Sequence, residues 1–211
     1  AADDPSMHSS QNEQDSRFYG DFALIPMYEP SNQQEAYDMV YSGFEFAVQI
    51  GEPVLMRMVT RLAHSRSGVE RNIQKPQNEL SFSDDPRQFI LLPGIARKRY
   101  KALLEKQDAF VKASEESPYN QYIDGQNKKL GIVACGIAFN YLMENYPDGC
   151  EYPVLKIGQY PLPQKQLLKL VDECDEILVL EDGQPFVEGL IKGYLGIGIQ
   201  VKGRLDGTLS R

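Results

Sequence analysis

Length, composition and charge exclude several classes of protein. The chain has 211 residues, of which 42% are hydrophobic and 25% are charged, as in a soluble globular domain. Its net charge of −8 disfavours nucleic acid as a partner, because phosphate binding requires a clustered basic surface. No apolar stretch approaches the roughly 20 residues of a membrane-spanning helix, so we expect no membrane partner.

The opening segment, residues 1–17, is polar and loop-like. It contains His, Ser, Gln, Asn, Glu and Arg side chains, which gather on loops that a scaffold holds near functional sites. The strand that would precede such a loop is missing or reduced to a stub. We therefore expect the chain to be a fragment of a larger enzyme, with this loop taken from near an active site.

Residues 1–66 have the pattern of a parallel α/β unit. Phe22–Ile25 predicts a short strand, and Ser31 with Gln34 has the spacing of a capping box that starts a helix. An apolar stripe at helical period follows, and the helix is expected to end near Gly51. Pro53–Val59 predicts the next strand.

Residues 67–128 differ in character from the segment before them. The part over 67–93 is polar, proline-spaced and without periodicity, which indicates a linker running over a surface. A charged helix is predicted over 94–116, and the Ser-Pro pair that follows is expected to end it.

Residues 129–203 have the clearest α/β pattern in the chain. Strands are predicted at 130–134, 153–157, 176–181 and 197–201, with helices after Gly136, Pro163 and Pro185. Three βα repeats of this kind predict a small, mainly parallel, doubly wound sheet. Residues 204–211 have no apolar pattern and look like the start of another linker.

The cysteines argue against a metal centre in this chain. Cys135, Cys150 and Cys174 are widely spaced and form no CxxC pair, so neither a zinc site nor an iron–sulfur cluster is indicated. We expect them to be small, buried side chains in a reduced, cytoplasmic compartment.

Gly136 leaves two interpretations open. It follows a predicted strand and opens a helix, whose N-terminus can receive the phosphate of a nucleotide or coenzyme A. The full G-x-G-x-x-G fingerprint and a Walker lysine are absent from the sequence. A tight strand-to-helix turn explains the glycine without any ligand, and this is the favoured interpretation.

Two polar clusters contain the histidines of the chain. His8 lies in the run 8–13, and His64 lies in the run 61–66, directly after a predicted strand. If a strand lies just before Ala1, both clusters reach the same edge of a parallel sheet, where ligand crevices form. Such an edge suits an anionic substrate, although a pair of surface loops explains the same residues.

Collinear motifs extend over nearly the whole chain. They are Asp4–Arg17, Ile25–Ser31, Glu52–Arg57 with Thr60-Arg61 and His64–Arg66, Leu92–Arg97, Gly131–Gly136 with Tyr141–Met143, Leu155–Pro163 and Val179–Asp182. In residue sequence and in order they resemble segments of the alpha subunit of indolepyruvate:ferredoxin oxidoreductase. That subunit belongs to the thiamine diphosphate-dependent 2-oxoacid:ferredoxin oxidoreductase family.

The resemblance implies a fold and domain boundaries. Residues 1–66 would be the C-terminal half of a pyrimidine-binding domain, and 67–128 a linker with the charged helix. Residues 129–203 would form an α/β domain similar to the C-terminal domain of transketolase. The family's diphosphate-binding GDG…N motif, iron–sulfur cysteine clusters and pyrimidine-activating glutamate are not found in this sequence, so the fragment is expected to be inactive and to hold no cofactor.

The resemblance also implies chemistry for the parent enzyme. That chemistry is the oxidative decarboxylation of aryl 2-oxoacids of the indolepyruvate type to acyl-coenzyme A. The implied cofactors are thiamine diphosphate, Mg²⁺ and [4Fe–4S] centres. The implied partners are the rest of the alpha subunit, a beta subunit, ferredoxin and coenzyme A.

The same resemblance places seven residues near the cofactor and substrate, where they would shape the pocket or complement its charge. They are His8, Ser9, Ser10, Gln11, Arg17, His64 and Arg66. None is assigned an acid or base role in catalysis. An alternative from a different class is a stand-alone α/β interaction or regulatory module without catalysis. An open strand edge in the N-terminal half-domain predicts self-association.

Overall fold

The structure, a computed structural model, describes residues 1–77, 79, 83–195, 200–203 and 207–209. In these residues the α-helices are α1 (Arg17–Ala23), α2 (Gln33–Ile50), α3 (Thr60–His64), α4 (Pro93–Glu105), α5 (Gln107–Glu115), α6 (Ile137–Asn145), α7 (Gln164–Glu173) and α8 (Phe186–Leu195). The strands are β1 (Ala2–Asp3), β2 (Met27–Tyr28), β3 (Leu55–Met56), β4 (Met58–Val59), β5 (Gln121–Ile123), β6 (Gly131–Cys135), β7 (Val154–Ile157), β8 (Gln159–Tyr160), β9 (Glu176–Leu180) and β10 (Gln200–Lys202). None of the helices in the described part of the chain is both long and apolar enough to cross a membrane.

A five-stranded sheet forms the centre of the C-terminal part. Its strands lie in the order β10-β9-β6-β7-β5, and all neighbours are parallel except β5, which is antiparallel to β7. The helices that connect the parallel strands lie on both faces, as a doubly wound fold requires. The predicted strand over 197–201 is observed as β10, and residues 196–199 lie outside the described part of the chain.

The side chains of β6 show how the two faces are covered. Ile132 and Ala134 pack with Leu142 of α6, whereas Val133 packs with Leu170 of α7 on the other face. Because successive strand residues point to opposite faces, a continuous apolar strand is buried on both sides. The mainly parallel, doubly wound sheet predicted from the sequence is confirmed.

The N-terminal part forms two small sheets, and one of them includes a strand from the C-terminal part. β2 is parallel to β3 and antiparallel to β8, while β1 is parallel to β4. The predicted strand Pro53–Val59 is therefore divided at Arg57, since the residues before and after it pair with different strands. The pairing of β8 with β2 joins the two parts of the chain.

The predicted strand at Phe22–Ile25 is wrong. Its first residues complete α1, and Leu24 ends that helix in the left-handed conformation with φ of 58°. Phe22 is 89% exposed, so its apolar character does not report a buried strand. Gly20 lets the helix lie against Met27, because a Cβ at Gly20 would be 2.0 Å from the Met27 sulfur. Tertiary contact thus overrides the local apolar pattern.

The capping residue of α2 lies one position later than the predicted Ser31. Asn32 is the capping residue, and its side chain accepts a hydrogen bond from the Glu35 backbone amide at 2.9 Å. Glu35 in turn accepts bonds from the amide and hydroxyl of Ser31 at 2.9 and 2.8 Å. These bonds satisfy donors that a helix start leaves free. The predicted end at Gly51 is confirmed, with φ of 62°.

The single helix predicted over 94–116 is two helices, α4 and α5, that meet at Lys106. The Lys106 ammonium donates to the Ile50 carbonyl at 2.9 Å and to the Glu52 carboxylate at 2.7 Å. These bonds fasten the junction to the end of α2. Farther along the segment predicted as a linker, β5 joins the five-stranded sheet, so the sheet includes residues before 129.

Candidate functional site

Two polar loops follow the same ends of two neighbouring parallel strands. β1 pairs with β4 through Ala2 opposite Met58 and Asp3 opposite Val59. The run that contains His8 follows β1, and α3, which ends at His64, follows β4 directly. A strand was expected just before Ala1, but the strand that precedes the first cluster is β1, which lies within the chain at Ala2–Asp3. Both clusters therefore leave the carboxyl ends of adjacent strands, where ligand sites of parallel sheets form.

Asp4 holds the first loop in place. Its carboxylate accepts hydrogen bonds from the backbone amides of His8, Ser9 and Ser10 at 3.1, 2.6 and 2.5 Å. Burial raises the pKa of this carboxyl group, but the amide bonds of Ser9 and Ser10 and a bond from Thr60 outweigh it and hold the pKa well below its ordinary range. The loop is thus organised around a carboxylate that stays ionised.

The loop presents its side chains to the outside. His8, Ser9 and Gln11 are exposed and Ser10 is half-buried, while His64 and Arg66 of the second cluster are also exposed. The backbone is strained just before the loop, where Ser6 and Met7 have φ of 63° and 55°. Non-glycine residues rarely adopt such angles. The few residues that do so are concentrated at active sites and ligand-binding loops.

Arg17 does not lie with these exposed side chains. Its guanidinium is fully buried and pairs with Asp15, and it donates to the Glu181 carboxylate at 2.8 Å and to the Gln184 carbonyl at 2.9 Å. Phe186 packs beneath it, with the guanidinium carbon 5.3 Å from the ring centre. Arg17 therefore joins the opening segment to the C-terminal part rather than facing a pocket.

A second buried arginine, Arg57, lies in the same cluster. It donates to Asp3 at 2.6 Å, to Glu29 at 2.5 Å and to the backbone carbonyl of Asp182 at 2.7 Å. Asp15 also lies 3.5 Å from its Nε atom. Arg57 lies between β3 and β4 in the chain, and its side chain points into this polar cluster. The predicted strand divides at this residue.

The remaining members of the cluster anchor it to both parts of the chain. Tyr160 donates its hydroxyl to Glu29 at 2.5 Å. Glu181 accepts the backbone amides of Phe186, Val187 and Glu188 at 3.2, 2.9 and 3.1 Å, and so caps the N-terminus of α8. We name Asp3, Asp15, Arg17, Glu29, Arg57, Tyr160 and Glu181 the buried ion cluster.

Electrostatics in the buried ion cluster favour ion pairing. Burial lowers the pKa of Arg17, but the charge of Glu29 and the bond to Asp15 raise it well above its ordinary value. Burial raises the pKa of Asp15, yet the bond from Arg17 and the charges of both arginines bring it below its ordinary value. Burial raises the pKa of Glu181, and Arg17 opposes this effect. Both arginines therefore stay charged and paired with carboxylates inside the fold.

Gly136 contacts this cluster and not an open anion site. It has φ of 48°, and a Cβ at this position would lie 2.5 Å from the Glu29 Cγ atom. The side chain of Glu29 fills the space beside the turn. This contact supports the tight-turn interpretation of Gly136.

The side chains that the structure describes do not form a metal or iron–sulfur site. Within the residues that the structure describes, no three His, Cys, Asp or Glu side chains gather so as to hold a metal ion. Cys135 and Cys174 are buried and Cys150 is half-buried. Burial raises the pKa of the Cys135 thiol well above its ordinary value, which disfavours the thiolate that ligates iron.

Most members of the buried ion cluster were not evident as functional residues from the sequence. Glu29, Arg57 and Glu181 stood inside the collinear motifs but received no role there. A signal was available for Arg57, because a charged residue interrupts an otherwise apolar predicted strand, and a buried charge requires a partner. The partners of Arg57 could not be identified, since Asp3 is 54 residues and Glu29 is 28 residues away in the chain.

The fold is shared with a solved 2-oxoacid:ferredoxin oxidoreductase. The 2-oxoglutarate:ferredoxin oxidoreductase from Magnetococcus marinus matches 85% of this chain and 39% of its own chain, with a TM-score of 0.57 and 12% sequence identity. At that identity the match shows the fold alone, and it confirms the predicted α/β fold class.

The sequence comparison identifies the relatives of this chain more specifically than the fold does. The chain is 38% identical to the indolepyruvate oxidoreductase subunit IorA of Methanothermobacter thermautotrophicus and 37% identical to that of Archaeoglobus fulgidus, over 99% of its length in both cases. It spans only 35% and 34% of those two relatives. No protein-family model matches the chain. The resemblance predicted from the motifs, to a segment of the indolepyruvate oxidoreductase alpha subunit, is confirmed.

Proposed function

We propose that this chain is part of a thiamine diphosphate-dependent enzyme that oxidatively decarboxylates aryl 2-oxoacids of the indolepyruvate type. The acyl group would pass to coenzyme A and the electrons to ferredoxin. The proposal is supported by the similarity to IorA subunits over nearly the whole chain. Because the chain spans about a third of those relatives, the reaction is assigned to a longer enzyme and not to these residues alone.

The observation that supports a site in this chain is the parallel pairing of β1 with β4. It brings the loop of His8 and the helix end at His64 to the same edge of one sheet. We assign His8, Ser9, Ser10, Gln11, His64 and Arg66 to the wall of the cofactor and substrate pocket. Their exposed imidazole, hydroxyl, amide and guanidinium groups are suited to bind and orient a carboxylate.

Arg17 is given a different role from the one its motif implied. It is buried among carboxylates and backbone carbonyls, so it positions the opening segment instead of binding substrate. The buried ion cluster fixes β1 and β4 against the C-terminal part, and the two loops leave those strands. Rigid support of this kind is what a binding edge needs to keep its side chains in place.

Cofactors and partners are assigned to the rest of the longer enzyme. The residues described here do not fit Mg²⁺ or a [4Fe–4S] centre, and we propose that these groups and thiamine diphosphate are held mainly by other domains. The rest of the alpha subunit, a beta subunit, ferredoxin and coenzyme A are the proposed partners. The cytoplasm stays the predicted compartment, and the isolated chain is expected to be inactive.

Self-association of the isolated chain also stays a prediction. β1 pairs only through two residues with β4, and Phe22, Ile73 and Leu91 are 89%, 90% and 90% exposed. Short open edges and exposed apolar side chains favour association between chains. Sedimentation velocity over a range of concentrations tests this, and a monomer at every concentration would contradict it.

The functional proposal is tested in the longer enzyme that contains this chain. We expect indolepyruvate-dependent reduction of ferredoxin that requires coenzyme A, with 2-oxoglutarate a much poorer substrate. His8→Ala and His64→Ala should lower kcat/KM for indolepyruvate by about tenfold each, since each removes a polar contact to a charged ligand. Gln49→Ala, at an exposed position on α2, is the matched control.

Two outcomes would separate the parts of this proposal. If the longer enzyme shows no oxoacid-dependent ferredoxin reduction, the reaction assignment fails, and a non-catalytic α/β module becomes the better hypothesis. If the enzyme is active but both histidine variants keep the parental kcat/KM, the two loops are surface loops. Only the site assignment would then be withdrawn.

A further inference from the structure

A cavity of about 220 Å³ lies where the N-terminal and C-terminal parts meet. Helices α1, α5, α7 and α8 and the strand β2 surround it. Most of its lining is apolar, and the side chains that define it are Leu24, Ile25, Met27, Leu167, Phe186 and Leu190. It is separate from the two polar loops, so a ligand here would be an addition to the proposed reaction.

The size of this cavity is suited to one aromatic ring with a short substituent. An engineered apolar cavity of about 150 Å³ in another protein binds benzene. Natural ligand sites are likewise mainly apolar, with a few polar groups that fix the orientation of the ligand. The apolar lining and volume together favour a small, largely apolar molecule over a nucleotide or a sugar.

One carboxylate on the cavity wall has no partner. The Asp21 side chain makes no ion pair or hydrogen bond within the described part of the chain, in contrast to the carboxylates of the buried ion cluster, which pair with Arg17 or Arg57. Burial raises the pKa of Asp21. Asp21 is exposed to solvent and lines the cavity, so its carboxylate is open to receive a cation from a ligand.

Two other polar side chains at the wall, those of Gln107 and Tyr160, are already engaged. The Gln107 amide nitrogen donates to the Leu24 carbonyl at 3.1 Å and to the Leu103 carbonyl at 2.9 Å. Tyr160, also on the wall, donates its hydroxyl to Glu29. Among the wall residues, Asp21 thus provides the free charge, and that charge is negative.

We propose that this cavity is a binding site for a small aromatic amine, with the ring among the apolar side chains and the ammonium group on the Asp21 carboxylate. The inference does not depend on the proposed reaction. A bound amine would contact α1 and β2 on one side and α7 and α8 on the other, and so would stabilise the junction of the two parts.

The test uses the 211-residue chain and benzylamine as the probe, with benzyl alcohol and phenylacetate as neutral and anionic analogues. Isothermal titration at pH 7 should show saturable binding of benzylamine, weaker binding of benzyl alcohol and no binding of phenylacetate. Asp21→Asn should lower the affinity for benzylamine by about tenfold and leave the affinity for benzyl alcohol unchanged. Asp108→Asn on α5, an exposed carboxylate outside the cavity, is the matched control and should change neither.

A second measurement begins with the unmodified chain, so its first result does not depend on the folding of a variant. Benzylamine should shift the methyl resonance of Met27 in the unmodified chain, because that side chain lines the cavity. Val111→Trp, which fills the cavity from α5, should abolish both the shift of the Met27 methyl resonance and the heat of benzylamine binding. Absence of saturable binding, shifts at residues remote from the cavity, or equal affinity in Asp21→Asn would each overturn the proposal.

Discussion

Replacing Arg57 by Met removes a buried cation and leaves its carboxylate partners behind. The Arg57 side chain is fully buried, and the Asp3 and Glu29 side chains are each only 3% exposed. Breaking a buried ion pair by removing one partner destabilises proteins by about 3–5 kcal/mol, because an uncompensated charge stays in the interior. Methionine fills a similar volume, so little of the effect would come from a cavity.

The remaining contacts place the expected effect at the lower end of that range. Asp3 keeps hydrogen bonds from the Ser16 amide and hydroxyl at 2.8 and 2.9 Å, and Glu29 keeps the bond from Tyr160 at 2.5 Å. We therefore expect Arg57→Met to lower the free energy of unfolding by about 3 kcal/mol. Against a typical total of about 5–15 kcal/mol, this is a large loss.

Urea unfolding followed by circular dichroism measures this change through the midpoint at constant slope. Lys101→Met is the control, since Lys101 lies 3.8 Å from Glu105 with both side chains largely exposed, and such pairs contribute at most about 0.5 kcal/mol. If Arg57→Met does not fold, Arg57→Lys should still fold with reduced stability, because it keeps the charge but loses the forked geometry. An Arg57→Met protein within 1 kcal/mol of the parent, on the ~3 kcal/mol scale above, would refute the reasoning.

Further predictions concern the loop, the acid stability and the thiols. Asp4→Asn should accelerate hydrogen exchange of the Ser9 amide by about tenfold while far amides stay unchanged, because it weakens the acceptor that orders the loop; unchanged exchange would show that the loop is held otherwise. The lowered pKa of Asp15 means that its stability contribution is present above the unfolded value of 3.8 and is lost as the pH falls through the folded value. Asp15→Asn should therefore flatten the acid limb of the stability profile, and an unaltered acid limb would count against the ion pairing. Iodoacetamide should modify half-buried Cys150 well before buried Cys135, whose raised pKa disfavours the thiolate; equal rates by peptide mass spectrometry would contradict the burial.

Several elements were evident from local pattern alone. The helix that ends at Gly51 and the βα repeats after residue 129 have apolar side chains at helical or strand period, which depends only on neighbours in sequence. The predicted strand at Phe22–Ile25 failed for the complementary reason. Its residues end helix α1, which packs against Met27 through Gly20 and leaves Phe22 exposed.

The composition of the loops was readable from the sequence, but their support was not. His8 and His64 were identified as members of polar clusters, and the expected edge depended on a strand before Ala1, whereas the observed strand is β1, two residues long and within the chain. A two-residue strand has too little pattern to be recognised locally. Its partner β4 is more than fifty residues away in sequence, and pairing over that distance is decided by the tertiary fold.

The sequence by itself determined the α/β class, the main helices and strands, and the resemblance to the indolepyruvate oxidoreductase alpha subunit. Those features follow from residue order and from periodicity over a few turns. The tertiary structure alone decided that Arg17 is buried with Glu181 and that Arg57 divides a strand to reach Asp3 and Glu29. A buried charge is stable only beside its partners, and those partners come from distant segments that meet only when the chain is folded.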